Sequence, residues 1–191
     1  MTEGDLSRVN VIVFDLDSTL LKLDVDWNAL KLRLGDEFPS YRWESLGDLY
    51  NEVKVIGVAN ELSRLYRVVA SFEQASWSRL RADVVMKELV IGSLSRFKLA
   101  VCSSNMRSTV NRALSDIGLS SRIEIVVSAE DVGRVKPSPE GLLKIAGHFR
   151  VRPEEVLFIG DLLSDAVAAE QSGVNFCYRS EVDQLFLDET D

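Results

Sequence analysis

Val11-Ile12-Val13-Phe14-Asp15-Leu16-Asp17-Ser18-Thr19-Leu20 is the stretch on which the reading of this chain turns. Four apolar residues, β-branched or aromatic, run without a polar interruption, the pattern of a strand buried on both faces in a parallel sheet. Two carboxylates follow where that strand should end, and open α/β sheets bind ligands outside the carboxyl ends of their strands. Asp15 and Asp17 flank Leu16, so both acids can project into one crevice. A solvated turn would look the same in isolation, so the rest of the chain has to decide.

Beyond Lys98 the same kind of run recurs at intervals. Leu99-Ala100-Val101-Cys102 reads as a strand leading into Ser103-Ser104-Asn105, then a helix with Val110, Leu114 and Ile117 on one face and Gly118 as its stop. Ile123–Val127 is a third strand. Ser138, Pro139 and Glu140 open a helix carrying Leu142, Leu143 and Ile145. Val156–Ile159 is a fourth strand ending at Gly160-Asp161, and after a helix closed by Gly173 comes a fifth, Asn175–Tyr178. Strand and helix in alternation imply an α/β fold with a doubly wound parallel sheet.

Between Leu20 and that alternation the pattern is helical. Trp27, Leu30 and Leu34 share one face, Leu46, Leu49, Tyr50 and Val53 another, and Leu62, Leu65, Tyr66 and Val69 a third. Ser71-Phe72-Glu73-Gln74 reads as a capping box that starts a further helix through Trp77, Leu80 and Val84. No strand-like alternation is visible here. Residues 21–85 are therefore expected to form a helical insertion, with 1–20 and 86–191 making the α/β core. Trp27, Trp43 and Tyr66 are expected in the core of that insertion.

Composition excludes several classes of function. Lys and Arg number 22 against 30 Asp and Glu, a net charge of −8, the wrong sign for a reader of nucleic-acid backbones. Apolar residues make up 46%, enough to build a core and too many for a disordered chain. Cys102 and Cys177 stand apart in apolar runs and read as reduced core thiols. The first ten residues are polar and acidic, unlike a signal peptide, and no run is long enough to span a membrane. A cytoplasmic protein is expected. His148 sits away from every strand end and is given no chemical role.

The strand ends carry the chemistry. Asp15 and Asp17, Ser103 and Ser104, Lys136, and Asp161 with Asp165 should all converge on one edge of a parallel sheet. Four carboxylates in one place repel, and a hard divalent cation such as Mg²⁺, held by carboxylates, waters and a substrate phosphate, resolves that conflict. Lys136 adds a fixed positive charge, and hydroxyls at a helix start suit an anion. Acid, cation and anion donors together fit phosphoryl transfer.

These residues resemble the motifs of the haloacid dehalogenase-like hydrolases. Asp15-Leu16-Asp17-Ser18-Thr19 resembles the first motif, the serine after the second strand the second, Lys136-Pro137 the third, and Gly160-Asp161-Leu162-Leu163-Ser164-Asp165 the fourth. The helical insertion stands where that family carries a type-one cap, as in phosphoglycolate phosphatase-like members. The resemblance implies a Mg²⁺-dependent phosphatase for a small phosphorylated metabolite. Asp15 would be the nucleophile that forms an aspartyl-phosphate, and Asp17 the general acid–base. Ser103, Ser104, Asn105 and Lys136 would bind phosphate. Mg²⁺ would be held by Asp15, the Asp17 carbonyl, Asp161 and Asp165.

Two departures and two alternatives accompany that resemblance. Ser18 stands where a glycine is usual, and Leu162 where a hydroxyl residue is frequent. Counting from Lys98 favours Ser103 as the phosphate-binding hydroxyl, while matching Asn105 favours Ser104; Ser103 is preferred. A phosphosugar mutase would use the same residues. A non-catalytic phosphate-binding protein could share the fold but would have no use for both aspartates.

Overall fold

The first apolar run, β1 (Val11–Phe14), is completely buried and lies at the centre of the sheet. A computed structural model describes residues 6–56, 59–92, 96–182 and 184. Beside β1 lie β4 (Lys98–Cys102) and β6 (Val156–Gly160), flanked by β5 (Ile125–Val127) and β7 (Asn175–Tyr178), in the order β5-β4-β1-β6-β7. Every pairing is parallel, with Phe14 opposite both Val101 and Ile159. The chain fills one side of β1 and then the other, so the strand order reverses beside β1. Such a reversal opens a crevice at the carboxyl ends, which is where Asp15 emerges.

Alternate residues of β1 serve the two faces of the sheet. Val11 and Val13 pack with Leu142 and Ile145 of α6 (Glu140–Phe149) and with Ala168 and Ala169 of α7 (Leu163–Ser172). Ile12 and Phe14 pack with Val110, Ala113 and Leu114 of α5 (Arg107–Asp116) and with Met86 and Val90 of α4 (Val84–Gly92). Helices thus cover both faces, as the alternation of strand and helix implies. Gly118 and Gly173 follow α5 and α7 at φ 76° and 73°, the left-handed geometry of a helix stop.

Three helices intervene between β1 and α4: α1 (Trp27–Glu37), α2 (Leu46–Ile56) and α3 (Ala59–Ala75). Leu34, Tyr50, Val53, Leu65 and Val69 bury their side chains in the same apolar cluster as Met106, Ala129 and Val135 of the α/β core. Tyr50 donates its hydroxyl to Met106 Sδ at 3.5 Å, and Asn51 Oδ1 accepts from Val135 N at 2.8 Å. A two-stranded antiparallel ribbon, β2 (Leu21–Lys22) with β3 (Arg81–Ala82), brackets the helices. Strands of two residues are too short to show alternation, so the sequence pattern missed them.

Two further expectations need correction. Ser71 starts no helix. It lies inside the single helix α3, with Oγ donating to Val68 O at 2.7 Å, so Ser71 and Gln74 cap nothing. Serine three residues before a glutamine, as Ser71 is before Gln74, is a capping signal only where the chain enters a helix, and here the helix is already under way. Trp27 is 44% exposed and does not share the buried face of Leu30 and Leu34, because it occupies the first turn, where α1 borders the crevice.

Candidate active site

Asp15 is the first residue past β1, and its N–H is held by Ile159 O of β6 at 2.9 Å. This fixes its side chain at the mouth of the sheet, 6% exposed. The chain then turns tightly. Ser18 adopts φ 64°, the left-handed region that explains why glycine suits this position, and Ser18 N donates to Leu21 O at 2.6 Å. The turn brings Leu23 N to 2.8 Å from Asp17 Oδ1. Asp17 is thus oriented by the backbone just beyond β2, where the chain leaves for the inserted helices.

Lys136 reaches Asp15 from the loop after β5. Its Nζ donates to Asp15 Oδ1 at 2.6 Å and lies 2.6 Å from Asp165 Oδ1, above the Phe158 ring at 5.3 Å from the centroid. The loop is braced by α2. Asn51 accepts from Val135 N, and a Cβ on Gly47 would stand only 3.0 Å from Lys136 O. Asp165 is fully buried, its Oδ2 accepting from Asp161 N at 3.2 Å and Leu162 N at 3.1 Å. Gly160 is the residue that lets it lie there, because a Cβ at 160 would meet Asp165 Oδ2 at 2.5 Å.

One ammonium among three carboxylates sets the electrostatics. Burial pushes the Asp15 carboxyl up to about 7, with Asp165 and Asp161 adding to the rise and Lys136 opposing it. Burial alone would lower the Lys136 pKa, but Asp15 and Asp165 hold it above its ordinary value, so the ammonium stays charged. Burial also raises the carboxyls of Asp17 and Asp161, Asp165 adding to the rise at Asp161.

Asp15, Asp161 and Asp165 each present one carboxylate oxygen within 4.8 Å of the others. Asp161 Oδ1 is buried without a hydrogen-bond partner among the described residues. An oxygen set of this kind, short of positive charge, suits a hard cation such as Mg²⁺. The Asp17 carboxylate lies outside this group and is occupied by Leu23 N.

The two serines take different places. Ser103 follows β4 with its N–H on Val127 O at 2.9 Å, and its Oγ lies between Asn105 Oδ1 at 2.8 Å and Asn105 N at 3.1 Å. Ser104 and Asn105 line the crevice of about 200 Å³ into which Asp15, Asp17, Lys136 and Asp161 face. Glu73, inside the stretch with the capping-box pattern, lines it too. Its Oε1 accepts from Asn105 Nδ2 at 2.8 Å, and Oε2 accepts from Met106 N at 3.2 Å. A signal was available, because Leu65, Val69 and Glu73 fall at i, i+4 and i+8 on the buried stripe of α3.

A model of the haloacid dehalogenase-like hydrolase family matches residues 12–178. A pyrophosphatase, PpaX, of Anoxybacillus flavithermus is 27% identical over 174 residues, covering 87% of this chain and 81% of that protein. Among solved structures, a hydrolase of Pseudomonas syringae superposes with a TM-score of 0.68 at 22% identity, covering 87% of this chain and 82% of its own. A subfamily IA hydrolase of Geobacter sulfurreducens does so with a TM-score of 0.63 at 22% identity, covering 93% and 97%. Among the described residues no helix is long and apolar enough to cross a membrane.

Proposed function

This chain belongs to the haloacid dehalogenase-like hydrolases, and on that premise we propose that it hydrolyses a small phosphate monoester through a phosphorylated Asp15. The observation that carries the proposal is the Asp15–Lys136 pair, 2.6 Å apart at the mouth of the central strand and facing a crevice of small-molecule size.

Asp15 attacks phosphorus and forms the new O–P bond while the ester O–P bond breaks. Asp17 gives its proton to the departing oxygen. It then takes a proton from the water that attacks the aspartyl-phosphate, releasing inorganic phosphate and restoring the Asp15 carboxylate. A carboxyl raised by burial, as at Asp17, holds a proton more readily for the first of these steps. Lys136 balances charge on Asp15 and on the phosphoryl oxygens.

Ser103 donates to the phosphoryl group. Its backbone is fixed by Val127, and a rotation about χ1 frees its Oγ from Asn105. Ser104 and Asn105 add contacts from the crevice wall. Mg²⁺ held by Asp15, the Asp17 carbonyl, Asp161 and Asp165 would supply further positive charge to the transferring group. Residues 21–85 serve as a cap over the site, and their Trp27 and Glu73 line the crevice.

The test is phosphate release from an aryl phosphate, with Mg²⁺ and with chelator. Release that needs the metal supports the reading. No release under any condition, with phosphate still bound, would leave a phosphate-binding protein on the same fold.

A further inference from the structure

In the crevice, Lys136 is already shared between Asp15 and Asp165. Trp27, Leu46, Leu162 and the Glu73 carboxylate line the same crevice. Among the described residues lining the crevice, Lys136 is the only cation. A substrate carrying a second anion would find no positive side chain to receive it.

Among the described residues, one candidate set of backbone donors for such an anion is already engaged. The start of α5 is where free N–H groups could bind one, and Met106 provides no side-chain cap of its own. Acids of this chain already occupy those donors. Met106 N donates to Glu73, the Asn105 amide donates to Glu73 at 2.8 Å, and Arg107 N donates to Glu130 Oε2 at 2.6 Å. Glu73 is held on helix α3, is 1% exposed, and has its carboxyl raised by burial and further by the charge of nearby Asp17. A carboxylate clamped by two donors in the crevice wall, near the Asp17 proposed to serve the leaving group, repels a like charge brought against it.

We propose that Glu73 is a specificity-determining residue that excludes substrates with an anionic leaving group, so that the substrate is a phosphate monoester of an uncharged or cationic alcohol. The inference rests on the phosphatase reading and narrows it. Inorganic pyrophosphate and phosphoglycolate, each with a second anionic group, fall in the excluded class.

The experiment compares 4-methylphenyl phosphate with 4-carboxyphenyl phosphate, closely matched in size, and adds pyrophosphate. kcat/KM is measured with Mg²⁺ for wild type and Glu73→Gln, which keeps the acceptor for Asn105 and removes the charge. Glu73→Met replaces it should the first variant not fold. Wild type should prefer the methyl compound by about ten- to a hundredfold, and the Gln variant should lose most of that ratio. A purely structural Glu73 would lower both rates together and leave the ratio unchanged, which overturns the proposal. So does a wild-type ratio near one, or pyrophosphate as the best substrate. Turnover of none of the three overturns the phosphatase reading itself, and this inference with it.

Discussion

Replacing Lys136 by methionine isolates the charge balance on which the site depends. The lysine side chain is 8% exposed and contacts Asp15, also 8%, and Asp165, at 0%. Methionine keeps much of the volume but leaves two buried carboxylates facing each other without a countercharge. Breaking a buried pair in this way costs about 3–5 kcal/mol. At about 2–4 °C per kcal/mol for a chain of this size, the melting temperature should fall by roughly 6–20 °C.

The deficit should depend on pH, and its sign follows from proton binding. In wild type, burial already raises Asp15 from 3.8 to about 7, so its contribution is fully present below the lower value and lost as pH rises through the upper. Lys136 opposes that rise, so without it the folded state binds the proton on Asp15 more tightly still. The variant should therefore lie far below wild type at pH 8 and approach it at pH 5. Thermal melts of both proteins in chelator at the two pH values make the comparison. A deficit of the same size at both, or no deficit, would refute the argument that Lys136 offsets buried acids.

Further predictions follow from neighbouring residues. Mg²⁺ at about a hundredfold above its dissociation constant should stabilise wild type by about 2.7 kcal/mol, read as a rise in melting temperature. Asp161→Asn should lose most of that rise, and an equal gain in both proteins would place the cation elsewhere. Asp17→Asn should slow turnover most for alkyl phosphates and least for aryl phosphates, whose leaving oxygens need little protonation; equal losses in steady-state assays would count against the general-acid role. Ser103→Ala should cost about a hundred- to a thousandfold in kcat and Ser104→Ala much less. The reverse ranking would assign the phosphoryl contact to Ser104, the serine that lines the crevice.

How far the sequence could be read depended on the range over which each residue acts. β1, β4 and β6 were legible because a strand buried on both faces must be nearly continuously apolar, and Val11–Phe14 and Val156–Ile159 are. The acids were legible as chemistry because Asp15 and Asp161 each follow such a run directly. Their partnerships were not, since Lys136 meets Asp15 across 121 residues and only the closed sheet sets that distance. Glu73 shows the converse. The local pattern of Ser71 with Gln74 around it suggests a cap, while the partners of Glu73, Asn105 and Met106, lie on another element. The longer period of α3, through Leu65 and Val69, carried the right information and was overridden by the shorter motif. The ribbon of β2 and β3 left no trace because two residues cannot display an alternation.

The central claim is that Asp15 is the group that attacks phosphorus, and the most direct measurement is phosphate release by Asp15→Asn beside wild type with Mg²⁺ present. The amide keeps the shape of the carboxylate but cannot form the phosphoryl ester. The account predicts loss of nearly all turnover, with melting behaviour and binding of the aryl phosphate largely preserved. Turnover near the wild-type rate in a preparation free of wild-type enzyme would contradict it.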